Sequence, residues 1–441
     1  MKTIQVGLLG IGTVGGGTFQ VLQRNQQEIR DRVGSGIEIT MVADLDMERA
    51  RSMVGEGVQV VDDARAVIAN PDIDVVVELI GGTGMARDLV LEAIAAGKHV
   101  VTANKALLAV HGTEIFQAAV EQGVMVGFEA AVAGGIPIIK ALREGLTANR
   151  IEWVAGIING TTNFILSEMR DKKLDFDTVL RQAQELGYAE ADPTFDIEGV
   201  DAAHKASIMS ALAFGIPVQF DKAHVEGISQ LSRTDIEYAE QLGYRIKLLG
   251  ITRRREGEGV ELRVHPTLVP ERRLIANVEG AMNAVVVQAD AVGTTLYYGQ
   301  GAGSEPTASA VIADLVDVAR LASSDVEHRV PHLAFQPLAM RDEPVLPMEQ
   351  VRTSYYLRLC VADEAGVLAQ VTRLLAEAGI SIGAVLQREA EQVGGQDAGQ
   401  TELIILTHEA IEGKMNQALS QLQALPTVLK PIVRIRKEEL A

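Results

Sequence analysis

At 441 residues the chain is too long for one hydrophobic core, so two or three domains are expected. Hydrophobic residues at 47% and charged residues at 22% exclude long disorder, and aromatics at 4% leave the core to aliphatic side chains. The formal net charge of −19, with no Lys/Arg-rich stripe to interrupt it, argues against nucleic acid as a partner, and no apolar run reaches the roughly 20 residues that span a membrane.

"MKTIQVGLLGIGTVGGG" opens with a lysine and an apolar run, but its glycines are too dense for a secretory leader and no A-x-A site follows. The single Cys360 excludes an intramolecular disulfide and fits a reducing compartment, so the cytoplasm is the expected location. Residues 3–9, "TIQVGLL", read as a buried parallel strand. "GIGTVG" follows at once, and Gly10, Ile11, Gly12, Thr13, Val14 and Gly15 form a G-x-G-x-x-G turn. Glycine is needed there for the tight turn, for backbone approach to a pyrophosphate, and for close packing of helix on strand. A helix over 13–30 would then offer its N-terminal amides and dipole to the phosphates.

"IEITMVADLD" reads as a second strand ending in Asp44, and "DIDVVVELIGG" as a third ending near Glu78 and Gly81. "KHVVTAN" and "VMVGFEA" follow as strands, alternating with helical stretches over 85–96 and 107–122. This alternation predicts an α/β doubly wound Rossmann domain over 1–135. Asp44 stands where an acid accepts the ribose 2′-hydroxyl of NAD, whereas Arg49 and Arg51 would suit the 2′-phosphate of NADP, so both coenzymes stay open. Lys105, just past the carboxyl end of a parallel strand in "VVTANKALLA", is a candidate to touch cofactor or substrate, although a loop lysine is ordinarily surface.

From Arg143 the pattern changes: "IEWVAGIINGTTNFILSEM" predicts a strand, a Gly-Thr-Thr-Asn turn and a helix. Then comes "ELGYAEADPTFDIEGVDAAHK", with Glu185, Glu190, Asp192, Asp196, Glu198 and Asp201 ahead of Lys205. Alone, such a stretch is a solvated loop, and Asp201 with Lys205 is the i,i+4 pair of any exposed helix. "VDAAHKASIMSALAFG", however, is apolar at helical spacing, with Asp201 in the first turn and Lys205 one turn later on the same face.

The run A-x3-G-Y-A-x2-D-P-x2-D-I-x-G-x-D-x3-K, from Ala183 through Gly187, Asp192, Pro193, Asp196, Gly199 and Asp201 to Lys205, resembles the homoserine dehydrogenase signature without a mismatch. "NKALLA", "FEAAVAGGIPII", "INGTTNFIL" and "GAGSEPTASAV" are similar to that family's other blocks, in order, so the resemblance covers residues 1–435. It implies reversible reduction of L-aspartate 4-semialdehyde to L-homoserine with NAD(P)H. Lys205 would donate the proton to the carbonyl oxygen, with Asp201 beside it and Lys105 reaching between cofactor and substrate. Glu190 would bind the substrate's amino group, with Asp196, Gly160 and Thr161 lining the same site. A monovalent cation of structural role, Na+ or K+, would take backbone oxygens of Glu129, Val132, Gly134 and Ile136. "GAGSEPTASAVIADLVDVAR", residues 301–320, would return to the nucleotide domain with Gly303 nearest the cofactor; a plain packing helix accounts for the helix but not for its glycines.

The chemistry stands beside the resemblance. Hydride delivered to an aldehyde leaves an alkoxide, whose charge a positioned acid must quench as it develops. Burial pushes a lysine toward its neutral form, and a carboxylate one helical turn away holds it charged. Glu185 and Glu198 need be no more than surface acids, and Asp192 and Asp196 caps or anchors.

The catalytic and dimerisation domain is therefore expected over 136–300, with 301–325 completing the Rossmann domain. "HRVPHLAFQPLAMRDEPVLP" is proline-studded and reads as a linker over 326–350. Residues 351–437 follow a βαββαβ, ferredoxin-like order. With "DEAGVLAQV" at the first turn this tail resembles an ACT domain, and Asp363 and Gly366 occupy its ligand loop. The resemblance implies L-threonine as effector and a homodimer, extended to a homotetramer if the tails pair; a dimerisation module without ligand is the alternative. Two rival functions follow from the same sequence. A non-catalytic NAD(P)- and amino-acid-sensing regulator would leave Lys105, Glu190, Asp201 and Lys205 without a joint purpose. A dehydrogenase making an acyl product needs a thiol nucleophile, and Cys360 lies mid-strand in the tail.

Overall fold

In a computed structural model the described residues are 2–322, 324–387 and 399–440. The first sheet holds six parallel strands in the order β3-β2-β1-β4-β5-β6: β1 Ile4–Leu9, β2 Ile37–Ala43, β3 Gln59–Val61, β4 Val75–Glu78, β5 His99–Thr102 and β6 Val126–Gly127. Each of the first, fourth and fifth is buried on both faces, as their apolar runs require. The order reverses between β1 and β4, so the crevice at their carboxyl ends is where the glycine turn sits.

Three differences from the sequence reading have physical causes. The predicted helix over 13–30 is two, Thr13–Arg24 and Gln26–Val33, because Asn25 leaves helical geometry at φ −106°, ψ 15°. β3 was not foreseen, since an edge strand of three part-exposed residues carries no periodicity. The strand read in "VMVGFEA" shortens to Val126–Gly127 because Glu129–Ala131 coil into a 3-10 turn. Helix Ser304–Leu321 packs along Thr13–Arg24. A Cβ on Gly17 would stand 2.3 Å from Ser304 Oγ, and that hydroxyl donates to the Thr13 carbonyl at 2.9 Å.

The second sheet is built from β7 Ile151–Ile157, β8 His224–Val225, β9 Tyr244–Arg255, β10 Gly259–Pro270, β11 Met282–Ala289 and β12 Gly293–Gln300. Their order is β12-β11-β7-β9-β10, antiparallel throughout, with β8 parallel to the middle of β10. The Gly-Thr-Thr-Asn segment is not a turn: Gly160–Lys172 is helical from its first residue, because Asn159 caps it by accepting from the Thr162 N–H at 2.9 Å.

The tail supplies β13 Arg352–Ala362, β14 Ile382–Gln387, β15 Gln400–Thr407, β16 Ala410–Ile411 and β17 Val433–Lys437, with helices Val367–Glu377 and Glu412–Gln423. The ferredoxin-like order is present as β17-β13-β15-β14. Arg388 and Glu389, part of the strand read in the sequence, lie outside the described residues. The tail is not a separate body on a loose tether. β17 pairs in parallel with β10, Arg436 opposite Thr267 and Lys437 opposite Leu268, so both domains share one 11-stranded sheet. The expected linker is bound as well, Arg341 N–H donating to the Gly215 carbonyl at 2.7 Å and Val345 bridging Val260.

Helix Val200–Phe214 joins the two sheets. It lies against β7, β9 and β10 on one side and helix Lys105–Gln122 of the nucleotide domain on another. Every residue after Val200 is buried. Ala202, Ala203, Ala206, Ala211 and Ala213 allow that close approach, and Ala206 Cβ would be 3.2 Å from a Cβ on Gly250 of β9.

Candidate active site

The Lys205 helix starts at Gly199, whose φ of 82° reverses the chain after the short helix Thr194–Ile197. One turn separates Asp201 and Lys205. The Lys205 ammonium donates to Asp201 Oδ2 at 2.7 Å and to the Ile158 carbonyl at 2.7 Å. An ammonium has three N–H bonds, so one is left uncommitted. With 11% of its side chain exposed, Lys205 is desolvated yet reachable. Burial pushes its pKa below the ordinary lysine range, and Asp201 opposes that shift. Burial would raise the Asp201 carboxyl, but Lys205 and Lys105 outweigh it and hold the group down at about 2.

Lys105 arrives from the other domain, its Nζ 3.2 Å from Asp201 Oδ1. It opens its helix directly after Asn104, whose side chain accepts from the Leu107 N–H at 3.1 Å and donates to the Gly82 carbonyl at 2.7 Å. Behind it Thr102 donates to Glu78 at 2.7 Å, and Glu78 caps the amides of Ile80 and Gly81, each at 3.0 Å. The carboxyl ends of β4 and β5 thus fix the lysine's starting point.

Asn159, which sequence reading did not single out as a site residue, ties the acids together. Its Nδ2 donates to Asp201 Oδ2 at 2.8 Å and to Asp196 Oδ1 at 2.7 Å. The signal for it was the cap position before Gly160 in "INGTTNFIL". Thr161 Oγ1 contacts Asp196 Oδ2 at 3.2 Å and donates to the Tyr188 carbonyl at 2.6 Å, which brings Gly160, Thr161 and Asp196 into one cluster. Burial, followed by the charge of Asp201, raises the Asp196 pKa. Asp192 caps the next turn, accepting from the Thr194 N–H at 3.1 Å. Glu190 is exposed and outside this hydrogen-bonded cluster; its carbonyl accepts from Gln184 at 3.1 Å, two residues along from the pinned Tyr188. Phe195 and His204 close one side, Lys105 Nζ standing 6.0 Å from the Phe195 ring.

The glycine turn fits a dinucleotide. Gly10 has φ 88°, and a Cβ on Gly15 would strike the Gly10 carbonyl oxygen at 2.2 Å. Gly12 faces open space, its nearest neighbour to an added Cβ being Arg49 Nη2 at 3.9 Å, and no side chain caps the helix it begins. Asp44 Oδ2 accepts from the Ile11 N–H at 2.8 Å, and Arg49 Nη2 donates to the Ile11 carbonyl at 3.0 Å, so acid and base flank the turn at Ile11, just ahead of Thr13 and Val14. Gly303, at φ 123°, begins the returning helix beside Thr13. Segment 129–136 packs beneath that loop, for a Cβ on Gly134 would lie 2.5 Å from the Gly301 carbonyl oxygen. The Glu129 carboxylate caps Ile139 and Lys140 at 2.9 and 2.8 Å, and burial raises its pKa to about 7. No carboxylate, His or Cys cluster for a metal occurs among the described residues, so a cation here would depend on backbone carbonyls. In the tail Asp363 and Gly366 are exposed in the loop before helix Val367–Glu377, Gly366 at φ 94°.

Residues 137–316 match the homoserine dehydrogenase family, 10–129 its NAD-binding domain and 355–426 the ACT domain. The chain belongs to the homoserine dehydrogenase family. The homoserine dehydrogenase of Pseudomonas aeruginosa is 60% identical over 441 residues, all of both chains, and that of Neisseria gonorrhoeae is 58% identical over 440 residues. A crystal structure of the Thiobacillus denitrificans homoserine dehydrogenase superposes with a TM-score of 0.94 at 62% identity, covering 100% of this chain and 99% of that one. The Staphylococcus aureus homoserine dehydrogenase gives 0.74 at 32% identity, with 99% of each chain covered. The first sheet is thus a homoserine dehydrogenase nucleotide domain, and the chain an oxidoreductase with an ACT tail.

Proposed function

We propose that Lys205, Asp201 and Lys105 catalyse the NAD(P)H-dependent reversible reduction of L-aspartate 4-semialdehyde to L-homoserine. The observation that carries this reading is a desolvated ammonium with one uncommitted N–H, held by Asp201 at 2.7 Å where the two domains meet. NAD(P)H supplies the hydride that becomes the new C–H bond. As the carbonyl oxygen gains charge, Lys205 Nζ transfers a proton to it, forming the alcohol, and solvent then restores the ammonium. In the oxidative direction Lys205 takes the proton back. Asp201 holds Lys205 in place and partly offsets the effect of burial, and Lys105 adds positive charge beside the reacting oxygen. Glu190 pairs with the substrate ammonium, and Gly160, Thr161 and Asp196 line the rest of the pocket.

Gly10 to Gly15, Asp44 and Gly303 hold the coenzyme. Arg49 beside the turn supports use of NADPH as well as NADH. Carbonyls of Glu129, Val132, Gly134 and Ile136 hold a monovalent cation that stiffens the contact with 301–303. The domains run 1–135 with 301–325, 136–300, 326–350 and 351–437. L-Threonine bound at Asp363 and Gly366 inhibits the enzyme. Exposed Leu296 and Tyr298 on edge strand β12 suit a homodimer, with tail pairing making a tetramer. The one buried cysteine suits the cytoplasm. The purified full chain, given semialdehyde and NADH or NADPH with and without threonine, tests the reading by coenzyme absorbance. A protein that binds coenzyme and never consumes it is the sensing regulator instead.

A further inference from the structure

One edge of β10 is shared end to end by two segments. β8 pairs with it at Arg263 and Val264, and β17 of the tail takes over at Thr267 and Leu268. At their junction stands Glu226, the residue after β8. Arg436 donates to its carboxylate at 2.7 and 2.8 Å, and Arg434 at 3.1 Å. His224 lies 2.9 Å from the same group. Arg436 is itself buried, with Glu412 taking its other N–H groups. Glu226 itself is part-exposed, so the grip is a multiply bonded one anchored on a single buried guanidinium, and its bidentate geometry fixes position.

Past Glu226 the chain runs into the substrate loop. A Cβ on Gly227 would lie 2.4 Å from the Ile197 carbonyl oxygen and 2.5 Å from Glu198 Cα, so backbone is stacked on backbone. The Ile228 N–H donates to that same Ile197 carbonyl at 2.8 Å. Ile197 follows Asp196, which Asn159 and Thr161 hold beside Asp201, and precedes Gly199, where the Lys205 helix begins.

We propose that Glu226 is a positioning residue: gripped by Arg434 and Arg436 of the tail, it presses 226–228 against Ile197 and thereby sets Asp196 and the start of the Lys205 helix. Substrate affinity then depends on the tail even with no effector bound. The proposal rests on the Asp201–Lys205 cluster being the substrate site, whose failure would appear separately as turnover retained by Lys205→Met.

Full-length Glu226→Gln keeps the shape of the side chain and removes its charge. Its KM for homoserine should rise roughly two- to thirty-fold, the range for coupling through such a network, while the coenzyme KM stays as in wild type. A residue that serves stability alone would lower the thermal midpoint and leave the homoserine KM where it was, and that result overturns the proposal. If Glu226→Gln is not recovered folded, Arg434→Gln at the rim of the grip decides instead. A smaller rise in the same KM supports the proposal, and no rise overturns it.

Discussion

Replacing Lys205 by methionine removes the ammonium and keeps the aliphatic stem, so the buried helix keeps its packing. Asp201 would lose one partner but retain Lys105 at 3.2 Å and Asn159 at 2.8 Å. The carboxylate is therefore not orphaned, and the stability cost should be about 1–3 kcal/mol, below the 3–5 that breaking a lone buried pair costs. Turnover should fall by ~10²–10⁴, the worth of a positioned general acid. Coenzyme affinity should hold, because Gly10 to Gly15 lie in the other domain. Steady-state kcat in both directions, with NADPH binding measured by its fluorescence, separates these effects. A folded Lys205→Met enzyme with kcat within about tenfold of wild type would refute the proton-transfer role.

Asp201→Asn should move the alkaline fall of the reductive kcat to lower pH. Reduction needs protonated Lys205; burial already lowers its pKa, and removing the anion that opposes this lowers it further. A limb that stays put or moves up contradicts the coupling. Gly12→Ala should fold normally, since the added Cβ has 3.9 Å of room, yet raise the coenzyme KM by intruding where the pyrophosphate approaches; Gly15→Ala, 2.2 Å from the Gly10 oxygen, should lose stability as well. Thermal midpoints and coenzyme KM values of the two variants, measured side by side, check this contrast. Truncation at Pro347 should fail to give folded enzyme, because it strips Glu438 from buried Arg263 at 2.6 Å and Arg436 from Glu226. Arg263 keeps Glu261 at 2.9 Å and part-exposed Glu226 can turn to water, so each loss costs about 1–3 kcal/mol on top of the uncovered β10 edge; a soluble fragment with wild-type thermal midpoint would contradict it.

The nucleotide half was legible because its rules are local. A buried strand, a glycine turn and a helix occupy consecutive residues; Gly10 and Gly15 stand where the backbone leaves no room for a side chain, and Gly12 where the turn faces open space. Asp201 and Lys205 were legible for the same reason, one turn apart on one helix. Lys105 could be placed at a ligand-binding edge, but its 3.2 Å contact with Asp201 spans 96 positions and no spacing rule reaches that far. Asn159 was missed because the Gly-Thr-Thr-Asn segment after it reads as a turn, and only the folded geometry shows Oδ1 capping a helix there while Nδ2 bridges Asp196 and Asp201.

The seating of the tail was illegible for a different reason. A proline-studded stretch ahead of a complete βαββαβ pattern reads as a linker before an ACT module, and that pattern is present. What the pattern does not express is that β10 is buried at all twelve positions, Glu261, Arg263, His265 and Thr267 included. Alternating polar residues along a strand ordinarily mark a face turned to water. Here Arg263 meets Glu261 at 2.9 Å and Glu438 at 2.6 Å, and the partner that desolvates this face comes from a segment 175 residues away. Such pairs add little net stability over apolar packing, but mispairing them is costly, since any other register leaves a buried charge alone. A single register of tail on catalytic sheet is what an ionic seam secures better than an apolar one, and it is the condition under which a change in the tail can reach Glu226 and the substrate loop without being lost in slippage.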